Sequence, residues 1–280
     1  MSYYGQNTSL AALDPKQEHG VKYIYFSDVL SIKKLAINLT LVVALWSAGT
    51  NAPADEVRVA VASNFSTAMK SLVVAFEETS VHTVVLSFGS TGKHYAQIKN
   101  GAPFDVFLAA DAARPALLEE QGLTHVGSRT TYATGKLVLW TSKSDLNDIQ
   151  DTLLSSTDIG YLAVANPKLS PYGMAAQQVL VELGLWPILQ MRLVRGENIG
   201  QTFQFVHSGN AELGFVAYSQ LFNPKKSVQG SFWIPPQSLY SPIDQQAVLL
   251  NDKQAAKDFM VFLKRPLARQ IIQDYGYDVP

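Results

Sequence analysis

Ser63, Asn64, Ser66 and Thr67 follow closely on the apolar run VRVAVA, and Gly89, Ser90, Thr91 and Gly92 follow on TVVLSF. Neither cluster contains a cation, and residues with helical spacing come after each. Small hydroxyls at the mouth of a helix suit one kind of chemistry, the holding of an oxyanion. First-turn N–H groups lack intrahelical acceptors, and the helix dipole favours negative charge there. Two such mouths can face one anion. A plainer reading stays open beside this one, because serine before an amphipathic helix is a common N-cap and Ser90-Thr91-Gly92 also reads as a turn.

Other chemistries have less support. His19, His82, His94, His125 and His207 are scattered, and the chain has no G-x-S-x-G, no H-E-x-x-H and no Asp/Glu/His group at metal-ligand spacing. Zero cysteines exclude disulfides, thiolate metal sites and a cysteine nucleophile. A formal net charge of −1 over 280 residues gives no electrostatic reason to bind nucleic acid or an anionic membrane. The expectation is a binding protein with no catalytic residue, no cofactor and no direct protein ligand to a metal, present as a monomer.

The elements that must position these hydroxyls alternate from Val57 onward. Apolar strands at VRVAVA, TVVLSF, FDVFLAA, IGYLAVA, LVRG and LGFVA are separated by helical segments, which predicts an α/β fold with mainly parallel sheets. Phe65, Ala68, Met69, Leu72, Val73 and Phe76 fall on one helical face, as do Ile199, Phe203 and Val206. A Pro-rich connector between Phe222 and Ser241 precedes a strand at QQAVLL. Asp105 and Asp111 flank a strand and read as solubilising or hinge-proximal charges.

The N-terminus predicts export. Lys33 and Lys34 precede the uncharged run Leu35–Trp46, and Ala52-Pro53-Ala54 resembles a signal-peptide cleavage site. That run is well short of the roughly 20 residues that cross a bilayer. Residues 1–31 are too long and too mixed in charge for an ordinary signal start, so residues 1–54 are expected to be an extension plus a signal peptide. The remainder stays near neutral.

ASNFSTAM, SFGSTGKHYAQIKNGAPFDVFLAAD, ANPKLSPYG, E-N-I and GFVAYSQ occur in an order and spacing that resemble the periplasmic molybdate-binding proteins, the substrate-binding components of molybdate ABC importers. The resemblance covers nearly the whole chain after the signal. It implies a type II periplasmic binding protein fold: two α/β lobes, each a mainly parallel sheet flanked by helices, joined by a two-stranded hinge. Lobe 1 would comprise 55–134 and 236–280, and lobe 2 would comprise 135–235. Molybdate or tungstate would be the ligand and an ABC permease the partner.

By position, the resemblance places ligand contacts on Ser63, on Thr91 or its neighbour Ser90, on Tyr172 and on the backbone N–H of Ile199. Asn64 is a further donor. Relatives often use a tyrosine hydroxyl where this chain has Ala217, so Tyr172 or Tyr218 must supply it or the contact is missing. Lys93 would tune the potential rather than touch the ligand. Charge-assisted bonds from neutral donors can hold a dianion without a cation. A donors-only site disfavours a protonated oxyanion, whose O–H finds no acceptor. Sulfate, phosphate or another tetrahedral oxyanion is the alternative ligand, and a hydrolase on the same fold is the alternative activity.

Overall fold

A computed structural model describes residues 55–144, 148–155, 159–222, 224 and 228–280. The signal-peptide reading of 1–54 lies outside the described residues. Strand β1 (Glu56–Ala62) shows how the chain builds a two-faced layer. Val57, Val59 and Val61 point into one apolar cluster with Leu72, Phe76 and Phe259. Ala60 points the other way, into a second cluster with Phe107, Leu118 and Val248. The period-2 alternation of a strand therefore feeds helices on both sides.

The first sheet has the order β2-β1-β3-β10-β4, with β2 Thr83–Gly89, β3 Val106–Leu108, β4 Thr130–Gly135 and β10 Ile243–Leu249. The second repeats that plan as β7-β6-β8-β5-β9, with β5 Leu137–Thr141, β6 Leu162–Ala165, β7 Leu193–Gly196, β8 Leu213–Ala217 and β9 Ser231–Trp233. In the first sheet β1 pairs in parallel with β2 and β3, while β10 is antiparallel to both β3 and β4. In the second, β6 pairs in parallel with β7 and β8, while β5 is antiparallel to both β8 and β9. Each sheet is thus mixed, yet four of its strands share one direction. The reversed strand next to the edge is in each case one that arrives from the other lobe.

Helices α1 (Ser66–Glu77), α2 (Thr91–Lys99) and α3 (Ala113–Glu120) follow β1, β2 and β3. Helix α4 (Ile149–Ser155) precedes β6, α5 (Pro171–Glu182) and α6 (Trp186–Leu189) precede β7, and α7 (Ile199–His207) precedes β8. Helix α8 (Tyr218–Leu221) follows β8, and α9 (Gln254–Phe262) and α10 (Pro266–Asp274) close the chain. The apolar spacing read from sequence holds in α1, which buries Ala68, Met69, Leu72, Ala75 and Phe76. Only Lys136 separates β4 from β5, and the chain crosses back between β9 and β10, so two crossings join the lobes.

Asp105 corrects the sequence reading of a solubilising charge. It is 2% exposed and accepts from Arg58 N at 2.7 Å, from Asn251 Nδ2 at 2.6 Å and from Lys253 Nζ at 3.1 Å. It ties β1 to the turn after β10. Asp111 is ion-paired with Arg114.

Candidate functional site

The parallel strands aim their carboxyl ends at a common cleft, the usual place for ligands in open α/β sheets. Ala62 and Gly89 are register partners at the ends of β1 and β2, so Ser63 and Ser90 leave the sheet side by side. Ala165 and Gly196 are partners at the ends of β6 and β7, which places the turns leading to Tyr172 and Ile199 side by side in the other lobe. The lobes touch here. Gly200 N donates to Ser63 Oγ at 3.2 Å, and Gly92 N donates to Leu169 O at 2.9 Å.

Ser63, Asn64, Ser90, Thr91, Tyr172 and Ile199 are all buried. The N-cap alternative separates them. Ser90 does cap α2, accepting from Lys93 N at 3.3 Å, but no side chain caps the turn Ser63–Phe65 or α1, so neither Ser63 nor Ser66 is an N-cap. Thr91 Oγ1 instead accepts from Ala110 N at 3.0 Å, and Tyr172 OH accepts from Gln245 Nε2 at 3.3 Å. The four hydroxyls share a pattern. Each accepts an N–H, and none has an acceptor for its own hydrogen among the described residues. The backbone N–H groups of Thr91 and Ile199 likewise open their helices with no protein acceptor among those residues.

No cation bonds to these side chains among the described residues. Lys93 Nζ is drawn off to Glu197 at 3.1 Å, on the surface. His94, next along α2, packs edge-on against Phe104 and Phe107, and burial lowers its pKa, with the Gln97 hydrogen bond opposing, so the ring is neutral at pH 7. Burial also pushes the Tyr172 hydroxyl well above the usual tyrosine range, which keeps its proton in place. The Ile199 side chain belongs to the lobe 2 core, leaving its amide for the cleft.

Ala217 is buried and brings no hydroxyl. Tyr218 opens α8, with its ring stacked on Phe222 at 4.7 Å between centroids. The sequence reading missed the residues behind the donors. Ser219 Oγ donates to Asn64 O at 3.2 Å, Tyr277 OH donates to the same oxygen at 2.9 Å, and Asn64 Nδ2 donates to Gln245 Oε1 at 2.8 Å. The available signal was two consecutive glutamines entering the apolar end of a strand, IDQQAVL.

A two-lobed fold closed over a buried, cation-free set of donors defines a solute-binding protein. A family model described as bacterial extracellular solute-binding protein matches residues 57–278. The chain is 50% identical over 242 residues to molybdate-binding protein ModA of Azotobacter vinelandii, covering 85% of this chain and 96% of that one. It is 44% identical over 255 residues to ModA of Rhodobacter capsulatus, covering 90% and 98%. The solved periplasmic molybdate-binding protein of A. vinelandii superposes with a TM-score of 0.77 at 42% identity, covering 80% of this chain and 99% of that one. The chain belongs to the periplasmic molybdate-binding proteins within the bacterial extracellular solute-binding family.

Proposed function

We propose that this protein captures molybdate, and tungstate at the same site, outside the cytoplasm and delivers it to an ABC importer without chemical change. The observation that carries this reading is the set of four hydroxyls, Ser63, Ser90, Thr91 and Tyr172, each accepting an N–H and each with no acceptor for its own hydrogen among the described residues. Such a site offers a tetrahedral dianion donors on several sides and offers a protonated anion no acceptor. The amides of Thr91 and Ile199 complete the proposed contacts; the Asn64 side chain, expected from sequence as a further donor, is not among them, because its NH2 group is spent on Gln245 Oε1 at 2.8 Å and Tyr277 OH at 3.0 Å. Lobe 1, 55–134 with 236–280, and lobe 2, 135–235, close on the ion as a monomer after signal removal, and a permease reads the closed surface. The names of the A. vinelandii and R. capsulatus relatives support the choice of molybdate.

Calorimetric titration of the purified protein with molybdate, tungstate, sulfate and phosphate tests the reading. Molybdate and tungstate should saturate one site at stoichiometric concentration, with sulfate and phosphate at least a hundredfold weaker. Absence of molybdate binding, or preference for phosphate, refutes it.

A further inference from the structure

One amide on the crossing strand joins side chains of both lobes. Gln245 has no exposed surface. Its Oε1 accepts from Asn64 Nδ2 at 2.8 Å and shares the Tyr132 hydroxyl hydrogen, 3.1 Å away, with Ala109 O, and its Nε2 donates to Tyr172 OH at 3.3 Å. A register shift in the β4–β10 pairing helps this convergence. Gln245 faces Ala133 and Gln246 faces Thr131, so Tyr132 is an extra residue opposite that step.

The direction of the bonds that run from Tyr277 through Asn64 and Gln245 to Tyr172 follows from one carbonyl. Asn64 O can only accept, so the Tyr277 hydroxyl 2.9 Å away commits its hydrogen there. The Asn64 side-chain atom 3.0 Å from that hydroxyl must therefore be the donor, Nδ2. The same NH2 group faces Gln245, which requires oxygen on that side of the glutamine. Nε2 is then turned to Tyr172, whose oxygen accepts and whose hydrogen is left over. Reversing the Gln245 amide would set NH2 against NH2 at Asn64 and leave Tyr172 to spend its hydrogen on an amide oxygen.

We propose that Gln245 is a positioning residue for oxyanion capture: anchored on Asn64, it holds Tyr172 in the donor orientation and so sets the preference for an unprotonated oxyanion. The inference rests on the oxyanion reading above. Gln245→Glu exchanges the NH2 group for oxygen at nearly constant shape. When ionised, that carboxylate takes the Tyr172 hydrogen and brings negative charge beside the anion; when protonated, it can donate to Tyr172 as the amide did.

Molybdate affinity of Gln245→Glu should fall at least a hundredfold at pH 8.5 and recover in part by pH 6, while the parent stays flat over that range. A double-mutant cycle supplies the second arm. Gln245→Leu should weaken molybdate binding at least threefold less in a Tyr172→Phe background than in the parent, because Gln245 acts through that hydroxyl. Melting of each ligand-free variant reports folding separately, and the cycle decides alone should Gln245→Glu not fold. If the parent binds molybdate but the Glu variant is pH-flat and the cycle is additive, the positioning role is wrong. If the parent itself does not bind, the oxyanion reading fails instead.

Discussion

At the scale of single residues, two hydroxyls with the same proposed duty toward the ligand differ in what else they hold. Thr91 Oγ1 accepts from Ala110 N within lobe 1, whether or not the lobes meet. Ser63 Oγ accepts from Gly200 N across the cleft, a bond that exists only when they do. Each substitution to alanine removes one charge-assisted bond to the ligand, roughly 1.5–3 kcal/mol, or about ten- to a hundredfold in affinity. Thr91→Ala also orphans a buried N–H, at about 1–3 kcal/mol of stability. Titration and melting together should therefore show Thr91→Ala losing affinity and several degrees of ligand-free Tm, and Ser63→Ala losing affinity with Tm nearly unchanged. Unaltered isotherms for both would remove them from the site. These hydroxyls were legible in the sequence because their position, at the end of an apolar strand before a helix, is local. Gln245 was not, since its role depends on Asn64, 181 residues away, and on a bulge that only strand pairing creates. Asp105 was misread for a related reason: charge suggests solvent, and nothing in FDVFLAA shows that Arg58 N and Asn251 come to meet it.

At the scale of elements, β4 ends on a residue whose missing side chain makes room for the site. A β-carbon on Gly135 would overlap the Tyr172 hydroxyl and stand 2.7 Å from Gln245 Nε2. Its backbone is not in the left-handed region, so the requirement is space alone. The pairing of Gly135 with Ile243 puts this space where one crossing passes the other. Gly135→Ala must push Tyr172 or Gln245 away, and overpacking of this kind costs about 1–3 kcal/mol. The expected outcome is a loss of molybdate affinity at least as large as that of Tyr172→Phe, together with a lower Tm. Tyr172→Phe should restore part of the stability of Gly135→Ala, because the overlapping oxygen is gone; a stability loss that Tyr172→Phe leaves untouched would contradict the overlap. The alternation of strands and helices was legible from periodicity, whereas the reversed strands β5 and β10 were not. Neither LVLWT nor IDQQAVL carries a mark of direction, which is set by the chain returning from the other lobe.

At the scale of the whole molecule, the lobes meet through contacts that need no ligand. Gly92 N reaches Leu169 O, Arg114 Nη2 reaches Lys168 O at 2.9 Å, and Lys93 pairs with Glu197. A ligand can shift the open–closed balance only by its differential affinity for the two states, so these contacts set how much of that affinity closure consumes. They differ in weight. Lys93 and Glu197 are about half exposed, and such pairs contribute little and are screened by salt. Lys93→Ala should weaken molybdate binding by a few-fold at most, and the difference from the parent should vanish at 1 M salt. Gly92 is the stricter position: a β-carbon there would lie 3.0 Å from Leu169 Cα and 3.1 Å from its oxygen, both backbone atoms with little freedom to yield. Gly92→Ala should therefore hold the lobes apart, lowering affinity by about five- to a hundredfold through faster release. The clash lies between the lobes and not within either, so the ligand-free Tm should match the parent's. Small-angle scattering should show the variant failing to compact on adding molybdate at a concentration that compacts the parent. Full compaction with unchanged release would mean that Leu169 can move aside, and that closure is governed by the ion and its donors rather than by the fit of the two lobes.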